Sequence, residues 1–247
     1  MKPSSGSSRK LSSRKLKRPF VIVIDGPAAS GKSTAAYLLA KKLGFVYMDT
    51  GAMYRALTWK ALKNQIDLKD EEALSKMAMS AQINISPQNN SPGVIVNLDG
   101  EDVSALLRTP EINSWVSVVS RIFGVRRAML ELQREIAKES SVVAEGRDMG
   151  TVVFPQADVK IFLSASLKER TKRRWKEVRD KQINCTEDDV REELKMRDKI
   201  DSERDIAPLK KASDAILVDN THLNIRETVE KVFTIVKEKI KLTNQSQ

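Results

Sequence analysis

Cysteine and histidine are almost absent from this sequence. Its 247 residues include one cysteine, Cys185, and one histidine, His222. A single cysteine excludes an intramolecular disulfide and a cysteine-rich metal site, and it favours a reducing compartment. A single histidine excludes a histidine-rich metal site, and we expect His222 to be a surface residue. We therefore expect a cytoplasmic protein whose chemistry depends on neither residue type.

Long apolar runs are also missing. No stretch reaches the roughly 18 apolar residues that a membrane-spanning helix needs. Hydrophobic residues make up 40% and charged residues 31% of the chain, which is typical of globular proteins. A chain of this length can bury one substantial core. We expect one main domain with small insertions and no membrane contact.

Acidic residues are absent from the first 18 positions. These positions carry seven lysines or arginines and six serines, so the rest of the chain holds only +3 of the net charge of +10. With almost no apolar residues, residues 1–18 are predicted to be a disordered basic tail. The tail lacks the apolar run of a secretory signal, but it could be an organellar transit peptide. Because the charge is concentrated there, we expect no nucleic acid in the main function.

Short apolar runs alternate with helical patterns along most of the remaining chain. Helical spacing follows the first run over residues 33–43 and ends at Gly44. This alternation is typical of an α/β fold with a parallel five-stranded sheet and helices on both faces. The five runs that predict strands are residues 20–24, 45–48, 142–144, 159–163 and 215–218.

The pattern changes between about residues 65 and 110. Residues 83–85 and 94–98 alternate with period two on either side of a turn-rich segment. We predict a small inserted antiparallel subdomain. Further on, a highly charged helix is predicted over residues 167–181, and a helix that opens with a capping-box pattern at Thr186 is predicted to end near Asp198.

Residues 26–33 read Gly-Pro-Ala-Ala-Ser-Gly-Lys-Ser and match the pattern G-x-x-x-x-G-K-[ST]. Gly26 and Gly31 allow successive amides to turn inward, and the following helix points its positive end at the same place. Lys32 adds a full charge to the β- and γ-phosphates, and the Ser33 hydroxyl can ligate Mg²⁺. This phosphate loop predicts binding of a nucleoside triphosphate.

The phosphate loop alone leaves the acceptor open, because GTPases, motors and small-molecule kinases share it. A GTPase needs a guanine-reading Asn-Lys-x-Asp segment, which is missing, and motors are usually longer. We therefore expect a kinase with a small acceptor.

Two further segments indicate where an acceptor binds. Residues 49–55, Asp-Thr-Gly-Ala-Met-Tyr-Arg, follow the second predicted strand and should lie at the carboxyl edge of the sheet, where ligands of such folds bind. Thr50 is predicted to cap the next helix, and Arg55, one turn in, can hold a phosphate through two hydrogen bonds. Residues 145–150, Glu-Gly-Arg-Asp-Met-Gly, follow the third strand. They place Arg147 and Asp148 in the crevice, although a salt-bridged turn would also explain them.

Taken together, these segments resemble the bacterial-type cytidylate kinases, which are nucleoside monophosphate kinases. The resemblance covers roughly residues 20–240. It implies transfer of the γ-phosphoryl group of ATP to CMP or dCMP, with Mg²⁺ accompanying the ATP, by an enzyme that we expect to be a monomer. The matching segments are residues 24–27, 49–55, 145–155, 160–163, 197–204 and 207–209.

The resemblance also implies three sets of site residues, with Ser33 as the metal ligand. The ATP-binding set is Gly26, Pro27, Ala28, Ala29, Ser30, Gly31, Lys32, Ser33, Thr34 and Arg170. The acceptor-binding set is Thr50, Tyr54, Arg55, Ser117, Arg126, Arg147, Asp148, Arg197, Asp201 and Arg204. The catalytic set is Lys32, Arg147, Arg173, Arg174 and Arg204.

Individual roles follow from the same resemblance. Ser117, Arg126 and Asp148 would read the cytosine ring, with Tyr54 against the base. The ribose would lie between Arg197 and Asp201, and Arg55, Arg147 and Arg204 would join Lys32 around the phosphates.

Two segments of the kinase domain, which is predicted over residues 19–241, have roles implied by the resemblance. Residues 65–110 look like the monophosphate-binding insert of the bacterial enzymes. Residues 167–185 would form a lid that closes over ATP with Arg170, Arg173 and Arg174.

The chain departs from the family pattern at two points. Phe123 and Gly124 stand where a proline often precedes Val-Arg, and Glu145 replaces an aspartate found in some members. Other acceptors, such as UMP, dTMP or shikimate, are the alternatives within kinases. A nucleic-acid-binding protein that uses the basic tail is the alternative from another class.

Overall fold

A computed structural model describes residues 18–88, 93–180 and 184–245. Most of the predicted tail, four residues of the predicted turn and part of the predicted lid, residues 181–183, lie outside these ranges. Within them, no helix has the length and apolar character that crossing a bilayer requires.

Eight helices and eight strands follow one another along the described chain, with a 3₁₀ turn at Ser104–Leu106 and a π-helical turn at Met149–Val153. In order they are β1 (Val21–Asp25), α1 (Lys32–Leu43), β2 (Val46–Asp49), α2 (Thr50–Lys63), α3 (Glu71–Ser80), β3 (Ile83–Pro87), β4 (Val94–Leu98), β5 (Glu101–Asp102), α4 (Pro110–Val119), α5 (Phe123–Glu139), β6 (Val142–Gly146), β7 (Val159–Ser164), α6 (Leu167–Asp180), α7 (Glu187–Glu203), β8 (Ile216–Asp219) and α8 (Ile225–Gln245).

The main sheet has five parallel strands in the order β2-β6-β1-β7-β8. In the central strand β1, the consecutive residues Ile22, Val23 and Ile24 are all fully buried. Successive side chains of a strand point to opposite faces, so burial of all three means that both faces of the sheet are covered. The predicted fold class is therefore confirmed.

The strand order brings three connecting loops together. Strand β6 lies between β1 and β2, with Asp25 opposite Gly146 and Asp49 opposite Glu145. All three strands therefore end at the same edge, where the phosphate loop and the two predicted acceptor segments begin. This edge is where ligands of open α/β sheets bind.

The inserted region contains α3 and a three-stranded antiparallel sheet in the order β3-β4-β5. Ile83 pairs with Leu98, and both side chains are buried together with Val96. The two predicted strands are confirmed, and alternation at period two places their apolar side chains on one face.

Helix boundaries agree with the sequence at some points and differ at others. Helix α1 ends at Gly44 in the left-handed conformation, and Thr186 and Asp189 form the predicted capping box. Helix α7 continues to Glu203, so the predicted end near Asp198 is wrong. No glycine or proline interrupts residues 199–203.

The prediction that Thr50 caps α2 is also wrong. The cap is Asp49, whose carboxylate accepts a hydrogen bond from the Ala52 amide at 2.9 Å. Thr50 is already helical, and its hydroxyl instead donates to the carbonyl of Glu145 at 2.7 Å. A carboxylate is the stronger cap at the positive end of a helix.

Gly124 allows α5 to pack closely against α3. A Cβ at this position would lie 2.1 Å from Oγ and 2.4 Å from Cβ of Ser75. A side chain there would force the two helices apart, and this contact explains why glycine stands near the start of α5.

Replacement of Gly124 by alanine should therefore lower the free energy of unfolding by about 1–3 kcal/mol, the usual cost of overpacking. Helix propensity alone predicts the opposite, a gain of about 1 kcal/mol. Urea denaturation of Gly124→Ala, Ser75→Gly and the double variant measures the coupling. A stabilised Gly124→Ala protein, or additive effects in the double variant, would contradict the packing argument.

Candidate active site

A cleft lies over the carboxyl ends of β1, β2 and β6. It brings together most of the residues that the sequence predicted for the site. The predicted residues in its lining are Ala28, Ala29, Gly31, Lys32, Ser33, Thr34, Thr50, Tyr54, Arg55, Ser117, Arg126, Arg147, Asp148, Arg174, Arg197, Asp201 and Arg204. The predicted residues outside the lining are Gly26, Pro27, Ser30, Arg170 and Arg173.

The phosphate loop begins at Gly26, where no side chain fits. A Cβ there would lie 2.1 Å from the carbonyl oxygen of Leu163 in β7. The phosphate loop therefore leaves β1 in close contact with the neighbouring strand β7. It leads into α1, whose first residue is Lys32.

Lys32 is buried at the base of the loop, where its ammonium group donates to the Pro27 carbonyl at 3.1 Å. Its Nζ lies 3.9 Å from Oε2 of Glu145, which is also buried. Burial lowers the pKa of Lys32, and the positive charge of Arg147 lowers it further, while Glu145 acts in the opposite direction. Each of these two buried charges thus offsets the desolvation cost of the other.

Ser33 contacts the same carboxylate. Its hydroxyl donates to Oε1 of Glu145 at 2.8 Å, so the oxygen lone pairs are free to ligate a cation. Burial raises the pKa of Glu145, and the nearby charge of Asp49 raises it further. No cluster of three or more His, Cys, Asp or Glu suited to a metal is found in the described ranges.

Arg147 and Asp201 form an ion pair across the cleft, with Nε and Oδ2 2.7 Å apart. The pair joins the turn after β6 to α7. Despite burial, the charges of Arg147 and Arg197 hold the pKa of Asp201 below its usual value. Burial, together with the charges of Arg55 and Arg147, lowers the pKa of Arg197 to about 9. The Nε of Arg197 is buried without a hydrogen-bond partner, so this guanidinium has a donor to spare.

Asp148 lies between two arginines at the other side of the cleft. Its Oδ2 accepts a hydrogen bond from Arg126, and its Oδ1 accepts one from Arg204 at 3.5 Å. The Arg126 guanidinium also lies over the Tyr54 ring, 5.7 Å from its centroid. Burial raises the pKa of Asp148 although the arginines oppose it. The arrangement offers donors, an acceptor and an aromatic face in one place.

Arg55 lies where the sequence placed it, one turn into α2. It is half-buried, and its Nε donates to the side-chain oxygen of Asn113 in α4 at 3.2 Å. Burial lowers the pKa of Arg55 while the charge of Asp49 raises it. Asn113 thus fixes the guanidinium at the rim of the cleft.

The three arginines of the predicted lid differ from one another. Arg170 is buried, pairs with Asp198 at 2.7 Å and donates to the Ala28 carbonyl at 3.2 Å. Arg173 donates to the carbonyls of Asn220 at 2.9 Å and Ser30 at 3.4 Å. Both therefore hold the back of the phosphate loop.

Arg174 is the lid arginine that lines the cleft. It pairs with Glu177 one turn along α6, at 3.2 Å. An exposed pair of this kind contributes about 0.3–0.5 kcal/mol, so little holds the guanidinium in place.

The sequence reasoning missed several residues of the lining. Arg108 reaches Asp49 at 3.6 Å from the end of the insert and has no motif around it. Glu193 lies five positions before the predicted end of α7 and four before Arg197, a helical spacing that could have indicated it. The lining residues not predicted for the site include Asp49, Arg108, Ser120, Glu145, Glu177 and Glu193.

Comparisons with known proteins identify relatives of this chain. The family model for cytidylate kinase matches residues 22–238. A cytidylate kinase from Bacillus cereus is 46% identical over 215 residues, which are 87% of this chain and 95% of the relative. One from Bacillus anthracis is 46% identical over the same shares. A solved gluconokinase structure from Sinorhizobium meliloti is 14% identical, with a TM-score of 0.45 over 93% of this chain and 98% of that chain. The chain belongs to the cytidylate kinase family.

Proposed function

We propose that this chain transfers the γ-phosphoryl group of ATP to CMP or dCMP, giving ADP and CDP or dCDP. The observation that carries the proposal is one cleft lined by the phosphate loop and by the Asp148 carboxylate between Arg126 and Arg204. The first element suits a triphosphate, and the second suits a base with both donor and acceptor edges. The names of the curated relatives agree.

Positively charged side chains would provide most of the catalysis. Charge spreads over the moving phosphoryl group in the transition state, so positioning and cations in a dry site lower the barrier. The acceptor is an ionised phosphate that needs no deprotonation, so no carboxylate is assigned as general base. The groups proposed for this role are Lys32, Arg55, Arg147, Arg174 and Arg204.

Mg²⁺ would bind beside Ser33. A hydroxyl whose proton is held by Glu145 offers lone pairs to a hard cation, and Mg²⁺ typically takes few protein ligands plus phosphate oxygens and waters. The residues therefore fit the ion. Bound there, it would neutralise charge on the phosphates of ATP.

The nucleoside would bind on the Asp148 side of the cleft. A carboxylate accepts hydrogen bonds, so Asp148 suits the exocyclic amine of cytosine, and Arg126 can donate to the ring carbonyl. Uracil presents a carbonyl where cytosine presents the amine, which would face the carboxylate unpaired. Ser117 and Tyr54 also line the cleft, and the Tyr54 ring lies against Arg126.

The ribose would lie near Arg197 and Asp201, on the α7 side. The spare Nε donor of Arg197 can bind an oxygen of the sugar or of the acceptor phosphate. The roles of the insert and the lid, the monomeric state and the cytoplasmic location stay predictions.

A panel of acceptors tests the proposed function. In a coupled assay of ADP formation, CMP and dCMP should be turned over with higher kcat/KM than UMP, dTMP, AMP or shikimate. Asp148→Asn should shift the CMP to UMP ratio of kcat/KM toward UMP by about 1–3 kcal/mol, roughly 5- to 150-fold, because the amide can donate to uracil. A wild-type protein that prefers UMP would show that the cytosine assignment is wrong.

Lys32→Ala should lower kcat by at least about 10²–10³-fold, the effect of removing one charged donor to a transition state. The fold should persist, as circular dichroism would show. Lys42→Ala is the control, because this exposed lysine lies on the same helix and pairs with Glu230. Equal kcat values for the two variants would refute the role of Lys32.

Separate variants of the lid arginines distinguish their roles. Arg174→Ala should lower kcat by roughly 10-fold or more with little change in stability, since only an exposed ion pair is lost. Arg173→Ala should lower the unfolding free energy by about 1–3 kcal/mol, because the side-chain oxygen of buried Asn220 loses the hydrogen bond that Arg173 donates at 3.2 Å. Stopped-flow turnover and urea denaturation measure both. The assignment is reversed if Arg173→Ala alone slows turnover without destabilising the fold.

A further inference from the structure

Asp25 ends the central strand β1, next to the phosphate loop, but it does not line the cleft. Its side chain is 4% exposed. One carboxylate oxygen accepts a hydrogen bond from the Met149 amide at 2.9 Å, and the other accepts one from the Gly150 amide at 2.8 Å. Both oxygens are thus committed to the backbone of the turn that follows β6.

The backbone of Asp25 holds the other side of the same turn. In the parallel ladder between β1 and β6, Asp25 stands opposite Gly146. One residue therefore fixes the chain immediately before and immediately after Arg147 and Asp148. No strand pairing holds these two residues themselves, because the ladder ends at Gly146.

The turn that Asp25 holds is irregular. Residues Met149–Val153 form a π-helical turn, a conformation that is rare and often marks functional sites. A Cβ at Gly150 would lie 3.4 Å from Oδ2 of Asp25, an ordinary contact, and 3.2 Å from Cδ of the flexible Lys160 side chain. The turn is therefore held by the two hydrogen bonds to Asp25 and not by the lack of a side chain at Gly150.

Keeping a carboxylate in this place opposes folding. Burial raises the pKa of Asp25 to about 6, and the charge of Asp148 adds to this, while the two amides and Arg147 act in the opposite direction. Within the described ranges, no lysine or arginine nitrogen lies within ion-pair distance of it. The buried Asp25 carboxylate therefore adds little to the stability of the fold, and its contribution is to hold the Met149 and Gly150 amides in place.

We propose that Asp25 is a positioning residue that sets the orientation of Arg147 and Asp148 toward the acceptor nucleotide. This inference rests on the proposed function for the identity of the acceptor. Asp25 touches neither substrate. It acts by keeping the donor and acceptor groups of two cleft residues in register with the rest of the site, where a shift of about 1 Å can cost roughly 100-fold in rate.

The test compares Asp25→Asn with the wild-type protein and with Asp158→Asn. Asp158 is a matched control because its carboxylate also accepts a backbone amide of β1, that of Val21 at 2.8 Å, but at the opposite end of the strand. In Asp25→Asn the amide keeps one acceptor and turns a donor toward the second backbone N–H. We expect the KM for CMP to rise roughly 10- to 100-fold and the CMP to UMP discrimination to fall.

The KM for ATP should stay within about twofold, since the phosphate loop keeps its own contacts. Asp158→Asn should leave the KM for CMP, the CMP to UMP discrimination and the KM for ATP unchanged. Asp25→Glu provides a second variant if Asp25→Asn fails to fold, because the acid remains while the added methylene moves its oxygens relative to the Met149 and Gly150 amides. It should raise the KM for CMP in the same direction.

The pH dependence gives an independent readout with a definite sign. As pH falls from 8 to 5, Asp25 of the wild-type protein binds a proton and loses one acceptor, so the difference in KM between wild type and Asp25→Asn should shrink. The charged groups that face Asp25 are Asp148 and Arg147 on the β6 side and Lys160 in β7. All three are present in both proteins, so the comparison isolates Asp25.

The outcomes distinguish failure of the positioning role of Asp25 from failure of the proposed function. If Asp25→Asn raises the KM values for ATP and CMP equally, or lowers only stability, the positioning role is refuted. Failure of the proposed function looks different, because the wild-type protein itself would then prefer another acceptor. In that case the KM for the preferred acceptor still tests whether Asp25 positions the two cleft residues.

Discussion

Holding many like charges in one cleft is the constraint on which the rest of this site depends. Lys32, Arg55, Arg147 and Arg197 line the same space. The charges of the three arginines each lower the pKa of at least one other residue of this group. Without compensation, these like charges would repel one another and destabilise the folded site. The burial of three carboxylates among these cations, those of Glu145, Asp148 and Asp201, supplies that compensation.

These carboxylates do more than neutralise charge, because each ties a cation to a different element of the fold. Glu145 on β6 faces Lys32 at the start of α1, and Asp201 on α7 holds Arg147. The cations are therefore oriented before any phosphate enters. Preorganised donors cost no reorganisation at the moment of reaction, which is why they lower a barrier more than mobile charges do.

The fold and most of the cleft could be predicted from sequence because their signals are local. Apolar runs, a glycine-rich loop and short motifs after strands indicate which residues lie at the carboxyl edge of the sheet. The role of Thr50 could not be settled in this way, since a hydroxyl and a neighbouring carboxylate compete for the same cap. The contact that decides it, with the carbonyl of Glu145, joins residues far apart in the chain.

The predicted lid shows the same limit more clearly. Arg170, Arg173 and Arg174 lie within five positions on α6, and charge pattern alone treats them as one group. Adjacent helical residues point about 100° apart, so Arg173 and Arg174 cannot face the same target. Which of them faces the cleft is decided by what α6 packs against, and that is a tertiary property.

The spare donor of Arg197 connects these observations to binding. A buried guanidinium with an unpartnered Nε and a lowered pKa is unfavourable in the free protein. A phosphate or sugar oxygen that binds there removes the unpaired donor, and an anionic oxygen would also restore the ordinary pKa of the group. The unfavourable free energy of holding these cations together is thus partly offset only when a ligand is bound. Because the carboxylates of the cleft compensate Arg197 incompletely, the gap between α2, β6 and α7 would favour ligands that carry negative charge.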